Sequence, residues 1–217
     1  MDSATMPPKV DIRTRRREML IEDARRVALD LFLEKGYENT SIEEISAHLG
    51  VSQRTLFRHV ESKDSFIHAV LAEWSNILNG ALPPQGSPVS LIDAYLESVR
   101  ALCEHLEQEV DRSKRIVLLI YSQPATQSSR WATHTSFADP RMSEEIARRL
   151  GLPLDRHEVT IYRSMLMTCV VQGLHEWANS TEDQPLYELL HRNLRLMRPV
   201  EDQIRRQSQA DTAPTAS

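Results

Sequence analysis

The stretch from Thr40 to Lys63, TSIEEISAHLGVSQRTLFRHVESK, gathers side chains that recognise nucleic acid at a spacing that can present them together. On a short helix opening after Ser52, Gln53, Arg54, Thr55, Phe57, Arg58 and His59 supply the outward surface while Leu56 and Val60 point back to a core. Gln and Arg can make bidentate hydrogen bonds to base edges in a major groove, and Thr offers a methyl or a hydroxyl. Arg, His and Lys can meet phosphates, and helix starts at Ser41 and Ser52 aim backbone N–H groups at the same anions. The chemistry on offer is recognition of a duplex.

A helix-turn-helix must position these groups, and its parts are present. Ser41 and Glu44 are spaced as a capping box opening a short helix with Ile42, Ile45 and Leu49 inward. Gly50 makes the turn, Val51 plugs between the helices and Ser52 caps the very short second one. Before it, Leu20, Ala24, Val27, Ala28, Leu31 and Phe32 recur at helical steps and stop at Gly36. After it, a helix from Ser62 carries Phe66, Ala69, Val70, Trp74, Ile77 and Leu78 on one face. The competing reading is an ordinary helical hairpin whose polar residues are a solvated face. Arg13, Arg15, Arg16 and Arg17 precede the first apolar periodicity. They read either as an arm along the DNA backbone or in a minor groove, or as a solubilising tail.

These residues resemble the TetR family of transcriptional regulators: Leu31-Phe32, Gly36-Tyr37, Thr40-Ser41, Ile45, Leu49-Gly50-Val51-Ser52, Thr55 to Val60, and Ser62-Lys63. Ser46 departs from the pattern, since the family usually has Ala there. The resemblance implies an all-α fold, a three-helix DNA-binding domain followed by a six-helix ligand-binding and dimerisation domain. It also implies phosphate contacts at Thr40, Phe57, His59 and Lys63 beside Ser41, and base contacts from Gln53, Arg54, Thr55 and Arg58. The partners implied are a palindromic double-stranded operator, a small-molecule effector and a second copy of the chain. Repression by the ligand-free protein is the family's commonest mode; activation, co-repression by ligand, or an interaction module without specific DNA binding remain alternatives.

The rest of the chain reads as helices. Leu91, Tyr95, Val99, Leu102 and Leu106 mark one, and Lys114 to Ser122 is apolar nearly all round, as a buried helix would be. A break or kink is expected at Ala138-Asp139-Pro140. The longest helix is predicted over about 155–179, opened by an Asp155/Glu158 capping box, and a last one from about Pro185 to Met197 or beyond. No strand pairs or repeats occur. The domains are predicted as 13–62 and 63–206, with disordered tails at 1–12 and 207–217.

From about residue 88 to 206 no nucleophile elbow, Gly-rich phosphate loop or His/Glu metal spacing appears, so no enzyme, metal or cofactor is expected. Trp74, Tyr95, Val99, Cys103, Ile120, Trp131, Phe137, Met165 and Cys169 are plain core residues one by one. With the cavity that the resemblance implies, they become its expected lining for an apolar or aromatic molecule, with His134, His175, Gln172, Tyr95 and Tyr162 for polar contacts. Leu166, Val170, Gly173 and Trp177 on one helix, and Leu186, Leu190 and Met197 on the next, form apolar faces read as a twofold four-helix interface. Gly173 would there let two backbones approach closely. Cys103 and Cys169 sit on apolar faces and read as inert.

The chain has 217 residues, 26 Lys+Arg against 31 Asp+Glu and a net charge of −5, which taken whole argues against DNA. Residues 1–68 hold 11 basic and 12 acidic side chains, so most of the acidity lies in the other half. Two distant cysteines and no membrane-length apolar run point to a soluble cytoplasmic protein.

Overall fold

The computed structural model describes residues 12–84, 86–122 and 140–212, which form helices and the segments that join them, with no strand among them. The described residues up to Ala69 make one compact unit and those from Val70 a second.

In the first unit α1 (Ile12–Lys35) buries Ala24, Ala28, Leu29, Leu31 and Phe32. Arg13, Arg15, Arg16 and Arg17 lie inside this helix rather than before it, all exposed. The extension has no apolar stripe to reveal it, but Arg and Glu are good helix formers, and Glu22–Arg25 and Asp23–Arg26 pair one turn apart. Residues 13–17 are thus helical rather than extended. The chain reverses at Gly36, whose φ of 90° suits a residue without Cβ and whose N–H donates to Phe32 O at 3.0 Å. Short α2 (Ile42–His48) and α3 (Gln53–Phe57) follow, and α4 (Asp64–Gly80) starts two residues after the predicted Ser62. Phe32 stacks at a tilt with Tyr37 and edge-on with Phe66, closing this small core.

The second unit holds α5 (Leu91–Leu106), α6 (Val110–Ser122), α7 (Pro140–Leu150), α8 (His157–Asn179), α9 (Leu186–Arg195) and α10 (Arg198–Thr212). The run at 114–122 is a helix, as preferred over a strand, but not buried all round. It turns Val117 and Ile120 inward and leaves Leu118 exposed. Pro140 opens α7 from the first turn, where its missing N–H costs nothing. The Asp155/Glu158 box does not form: α8 begins one residue after Arg156, which caps nothing and pairs with Glu158 instead.

The last predicted helix is two, parted at Leu196-Met197, and α10 continues to Thr212 across what was expected to be tail. Burial of Glu201 is what anchors it. Its carboxylate accepts from the N–H groups of Leu91 (3.0 Å) and Ile92 (3.1 Å), satisfying two of the free donors at the start of α5. Arg205 donates to the same carboxylate at 2.7 Å, Arg198 pairs with Asp93, and Ser208 donates to Gly151 O. A sequence reading by apolar spacing passes over a helix held by polar groups.

The expected dimer residues are interior residues of one protomer. Leu166, Val170, Gly173 and Trp177 of α8 are buried, as are Leu186 and Leu190 of α9 and Met197 after it. α8 and α9 pack directly, and a methyl on Gly173 would overlap Leu190 Cδ2. The close approach that Gly173 permits is therefore made within the chain. No described helix is long and apolar enough to cross a membrane.

Candidate nucleic-acid interface

Each element of the recognition motif is fixed by a local bond. Ser41 Oγ accepts from Glu44 N at 3.1 Å, capping α2, but the box is only half closed because the Glu44 carboxylate pairs with Lys35. Gly50 turns the chain with φ 66°, and Ser52 Oγ accepts from Thr55 N at 3.2 Å to start α3. Leu56 is fully buried and Val60 nearly so, which orients the five-residue α3 by its inner side. Ser46 is buried with its hydroxyl donating to Glu43 O, so the departure from Ala leaves no polar group unpaired.

The outer side carries Gln53, Arg54, Phe57 and Arg58, all exposed, with Phe57 at 52%. Thr55 is half-buried and its hydroxyl is shared with Ser52 Oγ at 2.8 Å; His59 is half-buried too. Ser41 is exposed, and its hydroxyl hydrogen is not used by the cap it makes. Two expected phosphate ligands are placed otherwise. Thr40 is 2% exposed and donates its hydroxyl to Gly36 O at 3.0 Å, so it cannot donate it to an anion at the same time. Lys63 Nζ donates to the carbonyls of Tyr37 (2.6 Å) and Thr40 (3.0 Å) and sits 4.1 Å over the Tyr37 ring. Tyr37 in turn donates to Asp64, and burial with the Asp64 hydrogen bond pushes the phenol pKa up. These three residues clamp the turn that leads into α2. Their separation of 26 or 27 residues gives no local sequence signal.

In the second unit a small cavity is lined by Ser75, Leu78 and Asn79 of α4, Tyr95 of α5, Met142 of α7, and Arg163, Leu166 and Met167 of α8. Its volume open to water is about 20 Å³, room for one or two molecules. Of the expected lining residues that are described, only Tyr95 is there. Trp74, Val99, Cys103 and Ile120 are buried elsewhere in the core, and Met165 and Cys169 are half-buried on α8 without reaching it. Trp131, Phe137 and His134 lie outside the described residues. Gln172 and His175 are exposed, and Tyr162 donates to Met197 O. Burial pushes the Cys103 thiol up to about 12 and raises that of Cys169, which suits inert thiols. Ser75, Asn79 and Arg163 are not among the expected polar contacts, because nothing in their spacing marks them as facing a cavity.

The family model described as bacterial regulatory proteins of the tetR family matches residues 25–70, and that of the MftR C-terminal domain matches residues 89–202. The chain belongs to the TetR family. Its members matched here are regulators of transcription rather than enzymes. The Mycobacterium tuberculosis protein named for regulation of mycofactocin biosynthesis, MftR, is 26% identical over 58% of this chain and 63% of its own. The regulator TcmR of Streptomyces glaucescens is 27% identical over 65% of this chain and 63% of its own. The match thus spans about 63% of the length of each of these relatives. The fold is that of Thermus thermophilus FadR, a TetR-family repressor solved with lauroyl-CoA, at TM-score 0.57 and 21% identity over 81% of this chain and 92% of that one. A TetR-family regulator from Streptomyces coelicolor aligns at TM-score 0.55 and 17% identity, over 92% of each chain.

Proposed function

We propose that this TetR-family chain is a homodimeric, cytoplasmic repressor that binds a palindromic operator and is released by a small apolar or aromatic effector. The observation that carries this reading is α3 itself, which presents Gln53, Arg54 and Arg58 to solvent while the buried Leu56 holds its reverse side. The FadR complex with lauroyl-CoA supports an effector, and the cavity beside Tyr95 is where this chain would begin to admit one. An effector that binds better to a state with poor operator affinity weakens DNA binding, and the operator weakens effector binding by the same factor. Since the inner faces of α8 and α9 are used within the protomer, a twofold partner meets their outer sides, where Ile161, Thr168, Gln172 and Arg192 are exposed, with Leu196 exposed directly after α9.

Selection of duplexes from a random pool by the full-length protein tests this. The enriched site should be an inverted repeat with half-sites about 10–10.5 bp apart, or a multiple of that, bound by two protomers. Failure to enrich any duplex over the pool would sink the reading.

Lys63 is expected to act through the turn it clamps. Lys63→Met should weaken operator binding several-fold and lower the melting temperature, yet leave the slope of log affinity against log salt unchanged. A direct phosphate contact would instead cut that slope by about 0.9, the value for one released counterion.

A further inference from the structure

Among the groups lining the cavity, one is left incomplete by the protein. Asn79 is 8% exposed, and its Nδ2 donates to Ser75 Oγ at 3.2 Å, while its Oδ1 is buried with no hydrogen-bond partner among the described residues. A buried amide oxygen without a donor costs about 1–3 kcal/mol, and native proteins rarely leave one so. Tyr95 faces the same cavity, is 1% exposed, and makes no hydrogen bond to a described residue. Burial keeps its phenol protonated, so it can donate a hydrogen bond. The remaining walls include Leu78, Leu166, Met142 and Met167. The two methionines are unbranched and can rearrange to enlarge a space that holds only a water or two as it stands.

We infer that the effector is an apolar molecule carrying a hydrogen-bond donor, a hydroxyl or an N–H, which it delivers to Asn79 Oδ1. The inference rests on the ligand-responsive reading above. Acceptor-only groups are disfavoured at this spot: a carboxylate, an ether or an ester oxygen brought to Asn79 Oδ1 meets another lone pair. A hydroxyl is the simplest match, because it donates to Asn79 and can accept from Tyr95. Arg163 contributes to the wall but has interactions of its own, so it does not by itself call for an anion.

The test uses phenol, anisole and toluene as probes of one shape with the donor present, methylated, and absent. Binding to the full-length protein is followed by calorimetry and by shift of the melting temperature. Phenol should bind at least roughly tenfold more tightly than anisole or toluene, which is the affinity equivalent of one unsatisfied buried group. In Asn79→Leu that preference should collapse to about unity, with the unliganded variant at least as stable as the parent because the orphan oxygen has gone. Equal binding of the three probes to the parent, binding of none, or a phenol preference that survives Asn79→Leu would each overturn the inference. Operator binding is measured in parallel. Its absence in the parent overturns the regulator reading, whereas an intact operator complex with no donor preference overturns only the assignment of Asn79.

Discussion

Arg54→Ala combined with Arg58→Ala is expected to reduce operator affinity by roughly 10²–10⁴-fold, the largest functional effect of any pair in the first unit. Each arginine that contacts a base is worth about 1–3 kcal/mol. Both side chains are exposed, on or directly after α3, so neither replacement removes packing. Stability should therefore change by no more than about 0.5 kcal/mol. A gel shift on the selected operator, read beside urea unfolding, separates loss of contact from loss of fold. If the doubly substituted protein kept its preference for the selected site over random duplex, α3 would not be the reading element. Four further arginines, at 13, 15, 16 and 17, are also exposed, but they stand on a helix rather than an extended arm. A continuous helix is too wide for a minor groove of about 6 Å, which disfavours the minor-groove reading of these four residues.

Glu201→Ala should cost about 2–4 kcal/mol of stability, the largest structural effect expected from one polar residue. The substitution leaves the Leu91 and Ile92 N–H groups without an acceptor in a buried site. The accompanying Arg205 ion pair adds little, because the Arg205 side chain is 37% exposed and water screens it. Most of the loss thus comes from the start of α5, 109 or 110 residues away in sequence. Glu201→Gln keeps one acceptor oxygen and should fall between. Urea unfolding gives the comparison: a change under about 0.5 kcal/mol for the alanine variant would mean that α10 is a passive cover and that water serves α5 as well. Removal of residues after 197 should reproduce the loss, since it takes the same carboxylate away.

Much of the DNA-facing unit was readable because its signals are local. Ser41, Gly50 and Ser52 act on backbone groups within three or four residues, and each sits in the structure where its chemistry requires. The same locality explains the failures. Glu44 was a reasonable partner for the Ser41 cap, but Lys35, nine residues back on α1, takes its carboxylate. Asp155 and Glu158 have the spacing of a box, but Arg156 captures Glu158 and α8 opens without one. Lys63 has the charge for a phosphate, yet the turn carbonyls of Tyr37 and Thr40 already hold it. For Glu44 and Lys63 a partner from outside the local window decided the outcome, whereas for Glu158 a residue inside that window, Arg156, outcompeted the cap.

Periodicity identifies a buried face without naming what buries it. The stripe Leu166, Val170, Gly173 and Trp177 is what an interface between two copies would need, and equally what α9 of the same chain needs. Leu190 lies where a methyl on Gly173 would be, so the space beside Gly173 is filled by α9 of the same chain. The cavity shows the same limit from the polar side. An aromatic or methionine at helical spacing is core by default, and the residues that make this space chemically specific, Asn79 and Ser75, carry no pattern that points inward.

By itself the sequence determined the helical class, the turn at Gly50, the caps of α2 and α3, and the family, because these depend on residue type and near-neighbour spacing. Tertiary structure alone decided which apolar faces meet inside one protomer, that Glu201 closes the start of α5, that Lys63 turns inward, and that Asn79 keeps an unpaired oxygen. Such outcomes depend on which of several possible long-range partners is within hydrogen-bond or van der Waals reach, and distance in space is not encoded by distance along the chain.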